Sequence, residues 1–414
     1  MNGGRTLTII LKAGEEIRGM KSYSRVYETV DLDAIRHNVE AMKANLMPGA
    51  GMIGVVKSDG YGHGAVPVAW AIDPYVWGYA VATLEEGVIL RKHGIKKPVL
   101  VLGVVPYDGY PQLLEYEIRP SLFQLKRAER LSELAVSMGK TAVVHLAVDT
   151  GMSRIGYPVT EESAEEAAKL CRLPGLQVEG MFTHFAKADE KDKAATDLEI
   201  EKYRRFVDML SERGITIPLL HCSNSAGILD LPRANFHLVR AGISIYGLYP
   251  SDEVDRETVK LKPGMELKSF ITYIKKIGPG TSVSYGGTFT ADREMTIATV
   301  PVGYGDGYPR NLSGKGEVLI RGKRAIILGR VCMDQFMVDV SHIPGVEEDE
   351  EVTLVGRQGE EEITVEELAE RGGGFHYEIL CDIGKRVPRV YLENGQVVGT
   401  KDYFDDCYEG FQKV

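Results

Sequence analysis

The sequence predicts an α/β chain: an N-terminal (β/α)8 TIM barrel followed by a C-terminal mostly-β domain. Three observations carry this expectation. From about residue 26 to residue 248, short apolar runs rich in β-formers alternate with amphipathic helical stretches, the mark of a parallel sheet with crossover helices. Near Lys262-Pro263-Gly264 the pattern changes to period-two runs separated by turns, as in an antiparallel β domain. At 414 residues the chain is also too long for one ordinary domain.

The apolar runs of the first region fall at 52–57, 76–82, 98–103, 142–148, 176–183, 219–222 and 237–239. Helical stretches lie between them at 32–45, 83–93, 125–138, 161–170 and 197–213. Thr83 with Glu86 three residues on forms a capping box that starts one helix immediately after a strand. Strand–helix repetition alone allows either a closed barrel or a doubly wound open sheet. No Gly-x-Gly-x-x-Gly follows the first strand, and candidate active residues follow several different strands; both facts favour the barrel. The period-two runs of the second region fall at 265–277, 295–302, 317–320, 324–328, 337–340, 351–355 and 397–398. One helix, 365–371, follows the box Thr364/Glu367. These patterns divide the chain into an N-terminal extension (1–24), the barrel (25–262), the β domain (263–399) and a tail (400–414).

Composition limits the function classes. Apolar residues make up 44% and charged residues 26%, as in a soluble globular protein. A net charge of -10 disfavours nucleic acid or an anionic membrane surface as partner. No window approaches 18 consecutive apolar residues, so no membrane span is expected. Cys171, Cys222, Cys332, Cys381 and Cys407 are odd in number and scattered, which fits reduced thiols rather than a disulfide framework or a zinc site. The apolar run at 7–11 is too short for a signal peptide, so a cytoplasmic protein is expected; Met20 is a possible alternative start.

The chemistry centres on Val55-Val56-Lys57-Ser58-Asp59-Gly60-Tyr61-Gly62-His63-Gly64. A lysine where a buried strand runs out sits in an apolar mouth, which favours the neutral amine and suits a Schiff base with an aldehyde cofactor. From local pattern alone, a solvated strand-end lysine before a glycine turn is the favoured reading. The glycines do not form a phosphate loop of the Gly-x-x-x-x-Gly-Lys-Ser/Thr type.

Lys57, followed four residues later by Tyr61 and then Gly-His-Gly, resembles the pyridoxal-phosphate lysine segment of the alanine racemases. Further segments match downstream in the family's order, over roughly residues 25 to 395, leaving the N-terminal extension outside. The resemblance implies pyridoxal 5'-phosphate as cofactor, no metal, and interconversion of L- and D-alanine by two-base transfer of the α-proton, feeding peptidoglycan. It implies that Lys57 carries the cofactor and acts as one base. In Asp149-Thr150-Gly151-Met152-Ser153-Arg154, Arg154 would bind the substrate carboxylate. His184 in Phe182-Thr183-His184-Phe185 would lie beside the cofactor ring, and Ser225, Tyr61 and the backbone N–H groups of Gly242 and Ile243 would surround the phosphate. Arg240 would face the pyridine nitrogen, with His221 supporting it; a permanently charged guanidinium there disfavours protonation of that nitrogen.

The β domain would supply the second base. Tyr285 in Ser284-Tyr285-Gly286-Gly287 resembles the family's catalytic tyrosine, and a neighbouring arginine would have to lower its titration from near 10. Tyr304 would line the entrance, and Met333 and Asp334 would help bind the substrate carboxylate. The resemblance also implies a homodimer with shared active sites, Tyr285 and Met333 coming from one subunit and Lys57 from the other. Two departures stand out: Ala147 where many relatives carry a carbamylated lysine that steadies the arginine, and Lys385 where many have a phosphate-binding tyrosine. The rival functions are a serine or broad-specificity racemase of the same fold, a basic-amino-acid decarboxylase, and a non-catalytic pyridoxal-phosphate-binding protein. His184-Phe185-Ala186-Lys187 lacks the decarboxylase-like His-x-Gly-Ser, and a β domain bearing Tyr285, Tyr304 and Met333-Asp334 counts against the binding protein.

Overall fold

The structure is a computed structural model that describes residues 23–403. Residues 1–22, most of the C-terminal tail and Cys407 lie outside the described residues. Two compact units divide the described residues: Ala34–Tyr61 with Ala65–Pro263, and a second unit comprising residues 23–33, Gly62–Gly64 and 264–403.

In the first unit eight parallel strands close on themselves. Their order is Gly51–Val55, Gly78–Val81, Val99–Val101, Arg119–Leu122, Ala142–Asp149, Leu176–Phe182, Leu219–His221 and Leu238–Ala241. Leu238–Ala241 returns to pair with Gly51–Val55 through Arg240↔Ile53, so no edge is left. The barrel expected from the sequence is therefore present. Seven of the strands coincide with the apolar runs; the eighth, Arg119–Leu122 (RPSL), was not among them. With an arginine, a proline and a serine in four residues it has no apolar signature, and its two-residue pairing with Val99–Val101 places it. Most strands are short and buried on both faces, as in GYAV and LVRA, because helices cover the outside and side chains fill the inside.

The helices start where local chemistry says they should. Thr83 accepts from the Glu86 N–H and the Glu86 carboxylate answers to the Thr83 N–H, completing the box before Leu84–Lys92. The long helix Ala194–Glu212 begins three residues before the expected 197, at a stretch with no capping side chain to mark it.

The second unit is built on an 11-stranded, largely antiparallel sheet. The expected run 265–277 is two strands, Met265–Phe270 and Tyr273–Ile277, which pair with different neighbours, Glu351–Gln358 and Met295–Val300. The strand Val26–Asp31 lies in this sheet, antiparallel to Met265–Phe270 and parallel to Arg389–Glu393, whereas the sequence division placed residue 25 onwards with the barrel. Its alternation looks the same in either sheet, and only long-range pairing assigns it. Strands Ser282–Val283 and Phe289–Thr290 form a small hairpin packed on Ile277, Met295, Ile297 and Leu328. The helix Val365–Gly372 follows its Thr364 cap.

Among the described residues, Cys171, Cys222, Cys332 and Cys381 form no disulfide with one another. Among the described residues no helix is long and apolar enough to cross a membrane, and no acidic, cysteine or histidine cluster has the form of a metal site.

Candidate active site

At the C-terminal ends of the barrel strands a cavity of about 250 Å³ is lined by Lys57, Ala147, Arg154, Phe182, His184 and Arg240 among others. Barrel topology collects there residues separated by up to 183 positions.

Lys57 does not end its strand. The strand Gly51–Val55 stops first, the Val56 N–H donates to Ala80 O at 2.9 Å, and Lys57 opens a single helical turn, Lys57–Tyr61. That turn is left-handed: φ is +52° at Ser58, +50° at Asp59, +65° at Gly60 and +50° at Tyr61. Left-handed helix costs an L-residue about 1–2 kcal/mol, so Ser58, Asp59 and Tyr61 together store several kcal/mol. The surroundings hold it. Glu86 takes the Ser58 N–H at 2.6 Å on Oε1, and the N–H groups of Ala82 and Thr83 at 2.7 and 3.2 Å on Oε2. Asp59 Oδ1 takes the Ala65 N–H at 2.9 Å, and Gly60 N–H closes the turn on Val56 O. Neither the left-handed turn nor the role of Glu86 was visible in the sequence, where Glu86 read only as half of a capping box.

The turn delivers Tyr61 inward. Its ring packs on Tyr246 with centroids 4.9 Å apart, and the Lys57 Nζ lies 5.9 Å from the Tyr61 ring centre. The Ser225 hydroxyl oxygen accepts the Gly242 N–H at 3.0 Å and the Ser244 N–H at 3.4 Å, while Asn224 caps the helix Ser225–Asp230 through the Gly227 N–H. A Cβ added to Gly242 would stand 3.1 Å from Tyr61 Oη and 3.7 Å from Ser225 Oγ. Tyr61 Oη and Ser225 Oγ thus converge beside Gly242, in a space kept open because residue 242 has no side chain, and two hydroxyl donors suit a phosphate.

Arg240 is buried with its guanidinium tied to two loops. Nη1 donates to His221 Nδ1 at 2.9 Å and to His221 O at 3.1 Å; Nη2 donates to Thr183 O at 2.6 Å and Cys222 O at 2.9 Å. His184 Nδ1 is 3.4 Å from Nη2. Burial pushes the Arg240 guanidinium down to about 10, still charged at neutral pH. Burial, and then the positive charges of Arg240, Arg154 and Lys57, hold His184 down to about 3, so its imidazole is neutral. The cavity wall therefore carries fixed positive charge and a neutral imidazole, a surface for an anionic ligand.

Arg154 is exposed on a loop shaped by Asp149, whose Oδ1 accepts the N–H groups of Gly151 and Ser153 at 3.0 Å each. Ala147 is buried on the cavity wall, and no ion pair holds Arg154 among the described residues.

The remaining candidates belong to the second unit. Tyr285 opens the turn of the small hairpin and is 70% exposed; Tyr304 and Met333 are 43% and 52% exposed. Their loops are tied together. Tyr304 N–H donates to Cys332 O at 3.1 Å, Gly305 N–H to Met333 O at 2.8 Å, and Ser284 Oγ to Arg330 O at 2.6 Å. Buried Asp306 receives both Arg25 nitrogens at 3.0 and 2.7 Å, and Arg386 reaches it at 3.5 Å. Arg386 also pairs with the Asp334 carboxylate at 2.8 Å. That carboxylate is engaged, so a substrate carboxylate could use only the backbone of Asp334. Sequence reasoning missed Arg25, Asp306 and Arg386, since pairs 281 and 80 positions apart leave no local pattern. It also missed Arg330, whose guanidinium a Cβ on Gly286 would meet at 3.1 Å. Lys385 is exposed.

Comparison with known proteins identifies the family of both units. Residues 30–250 match the family Alanine racemase, N-terminal domain, and residues 264–391 match Alanine racemase, C-terminal domain. The chain is similar to an alanine racemase of Desulforamulus reducens, 46% identical over 368 residues, covering 89% of this chain and 99% of that one. It is similar to alanine racemase 1 of Clostridium acetobutylicum, 43% identical over 379 residues, covering 91% and 98%. Among solved structures, alanine racemase from Clostridium difficile 630 superposes with a TM-score of 0.90 at 41% identity, covering 93% of this chain and 100% of that one. A Bacillus anthracis alanine racemase with bound L-Ala-P gives 0.88 at 37% identity, covering 94% and 100%.

Proposed function

The chain belongs to the alanine racemase family, and on that premise we propose that it interconverts L-alanine and D-alanine with pyridoxal 5'-phosphate as cofactor. The observation that carries the reading is the cavity itself, which brings together one lysine, a neutral histidine and a buried arginine, with the Tyr61 and Ser225 hydroxyls converging at Gly242.

The residues fit the cofactor. Lys57 would hold it, the hydroxyls of Tyr61 and Ser225 with the Ile243 N–H would take its phosphate beside Gly242, and Arg240 and His184 would face its ring. When bound, pyridoxal phosphate supplies the electron sink that makes the α-hydrogen of alanine acidic. Arg240 keeps its charge at neutral pH and so disfavours a proton on the ring nitrogen. Arg154 orients the substrate by its carboxylate. Lys57 Nζ takes or returns the α-proton on one face of the substrate, and the Tyr285 hydroxyl serves the other. One base cannot readily serve both faces of a planar carbon, which is why two are required.

The exposure of Tyr285, Tyr304 and Met333 on tied loops supports a homodimer in which a second copy covers them and each copy completes the other's site. The first test is conversion of L-alanine and, separately, L-serine to their D-forms by the purified protein with pyridoxal phosphate. Fast conversion of alanine and much slower conversion of serine is expected; serine equal or faster moves the substrate, and no conversion of either refutes the reading. Tyr285→Phe is expected to exchange the α-proton with solvent deuterium from one enantiomer only. Equal exchange from both would remove Tyr285 from its role.

A further inference from the structure

Behind Arg240 runs a line of polar groups that the reaction does not use: the buried His221 and His145, then the partly buried Glu179 and Arg119. Both imidazoles are fully buried, His145 on the strand Ala142–Asp149 and His221 at the end of Leu219–His221. His221 Nε2 lies 2.9 Å from His145 Nδ1, and His145 Nε2 lies 3.2 Å from Glu179 Oε2. Arg119 clamps the far carboxylate, Nε to Oε2 at 2.6 Å and Nη2 to Oε1 at 3.2 Å. Gly180 makes room for the line, since a Cβ there would come within 2.5 Å of the His145 ring.

The two ends of this line are chemically one-sided. Arg240 has only donors and an ionised carboxylate only acceptors. Arg240 Nη1–H therefore donates to His221 Nδ1, which leaves the His221 proton on Nε2. That N–H donates to His145 Nδ1, which leaves the His145 proton on Nε2, and that N–H donates to Glu179. Each link has one donor and one acceptor only if both rings are neutral and both carry the proton on Nε2. An imidazolium at either position would turn one link into two hydrogens facing each other. Burial lowers the proton affinity of both rings, in agreement. Glu179 is ionised, because the hydrogen bonds from His145 and Arg119 and the charge of Arg119 outweigh its own burial and hold it at about 2.

We propose that Glu179 is a positioning residue: as the acceptor at the far end it fixes the tautomer of both histidines, so that His221 presents a lone pair and not a hydrogen to Arg240. Without that acceptor only Arg240 sets the direction, and it does so at the cost of leaving the buried His145 Nε2–H without a partner, a cost that the reversed line avoids. His145 can then carry its proton on Nδ1, His221 must accept on Nε2 and carry its own proton on Nδ1, and an N–H faces the Arg240 N–H at 2.9 Å. The guanidinium would have to leave the geometry that also serves Thr183 O and Cys222 O. Glu179 thus acts on the cavity from two residues away, through hydrogens alone. Arg119 keeps the acceptor charged and in place, its own guanidinium lying 5.9 Å from the Trp77 ring centre.

The test reads nitrogen protonation directly. The full-length chain, with pyridoxal phosphate added, is labelled with 15N-histidine, and two-bond proton–nitrogen spectra assign the tautomers of His145 and His221. Wild type is expected to show the Nε2–H form at both. Glu179→Met is expected to lose the single form, with Nδ1–H appearing at His145 and His221. Glu179→Gln keeps one oxygen where Oε2 sits and is expected to restore the wild-type pattern. Gly180→Ala, which displaces the His145 ring and leaves Glu179 in place, is a second way to break the line should Glu179→Met not fold. Nδ1–H at either ring in wild type, or unchanged tautomers in both line-breaking variants, would overturn the proposal. What Arg240 faces rests on the racemase reading, so turnover is measured separately. Glu179→Met is expected to lower kcat about tenfold with the KM for alanine within about twofold, and Glu179→Gln to recover it. A chain inactive on alanine would count against the racemase reading and leave the tautomer result standing.

Discussion

Lowering the pH from 7.5 to 5.0 should destabilise this protein through its buried imidazoles, and His184 allows the size to be worked out. In the unfolded chain its ring titrates near the ordinary 6.5; in the fold, burial and the charges of Arg240, Arg154 and Lys57 hold it at about 3. A folded value below the unfolded one means that stability is full above pH 6.5 and is lost as the pH falls from 6.5 towards 3, because the unfolded chain binds a proton that the folded chain refuses. At pH 5.0 the unfolded ring is almost wholly protonated and the folded ring almost wholly neutral. With about 1.4 kcal/mol per pH unit over about 1.5 units below 6.5, the loss comes to about 2 kcal/mol. The ring keeps part of its surface open to the cavity, which brings the expected figure to about 1–2 kcal/mol. His145 and His221, also held below the ordinary value by burial, add to the loss with the same sign. The assay is urea unfolding of wild type and His184→Gln at both pH values, at one protein concentration and without added ligand. The glutamine cannot charge, so the variant should lose about 1–2 kcal/mol less than wild type between the two conditions. An equal loss in the two proteins would show that His184 is not held neutral and would refute the electrostatic account of the cavity.

Two further perturbations test the scaffold. Glu86→Ala removes the acceptor of three backbone N–H groups, at Ser58, Ala82 and Thr83; about 2–3 kcal/mol of stability should be lost, and the Ser58 amide should exchange with solvent faster than in wild type. Faster exchange confined to Ala82 and Thr83 would show that Glu86 does not hold the left-handed turn. Gly247→Ala places a Cβ against the Lys262 carbonyl at φ +88° and should cost more than about 3 kcal/mol by thermal unfolding. Gly214→Ala, at φ +72° with nothing within 4 Å, should cost only about 1 kcal/mol, and similar losses at both sites would mean that steric overlap is not the cause.

Much of this molecule is legible in its sequence where the signal is local. Seven of the eight barrel strands are continuous apolar runs because they are buried on both faces, and the Thr83–Glu86 box marks its helix start without reference to anything distant. Lys57, Arg154, His184, Ser225 and Arg240 could be picked out because each follows such a run, and a closed barrel must then bring strand ends together. The strand Arg119–Leu122 was illegible because arginine, proline and serine at a strand start carry no period, and Val26–Asp31 because a strand's alternation does not name its sheet.

The barrel, the change to a β region near residue 263 and the short segments that carry chemistry are written in local pattern, since burial and capping act over a few residues and leave periodic traces. The left-handed turn after Lys57, the Glu86 carboxylate that holds it, the pairing of Asp334 with Arg386, and the line from Arg240 through His221 and His145 to Glu179 emerge from long-range packing. Each of these is a hydrogen bond or ion pair between residues 19 to 76 positions apart, or a backbone conformation that such bonds impose. A residue's own neighbours in sequence do not record which distant donor or acceptor will face it; the closure of the sheet does.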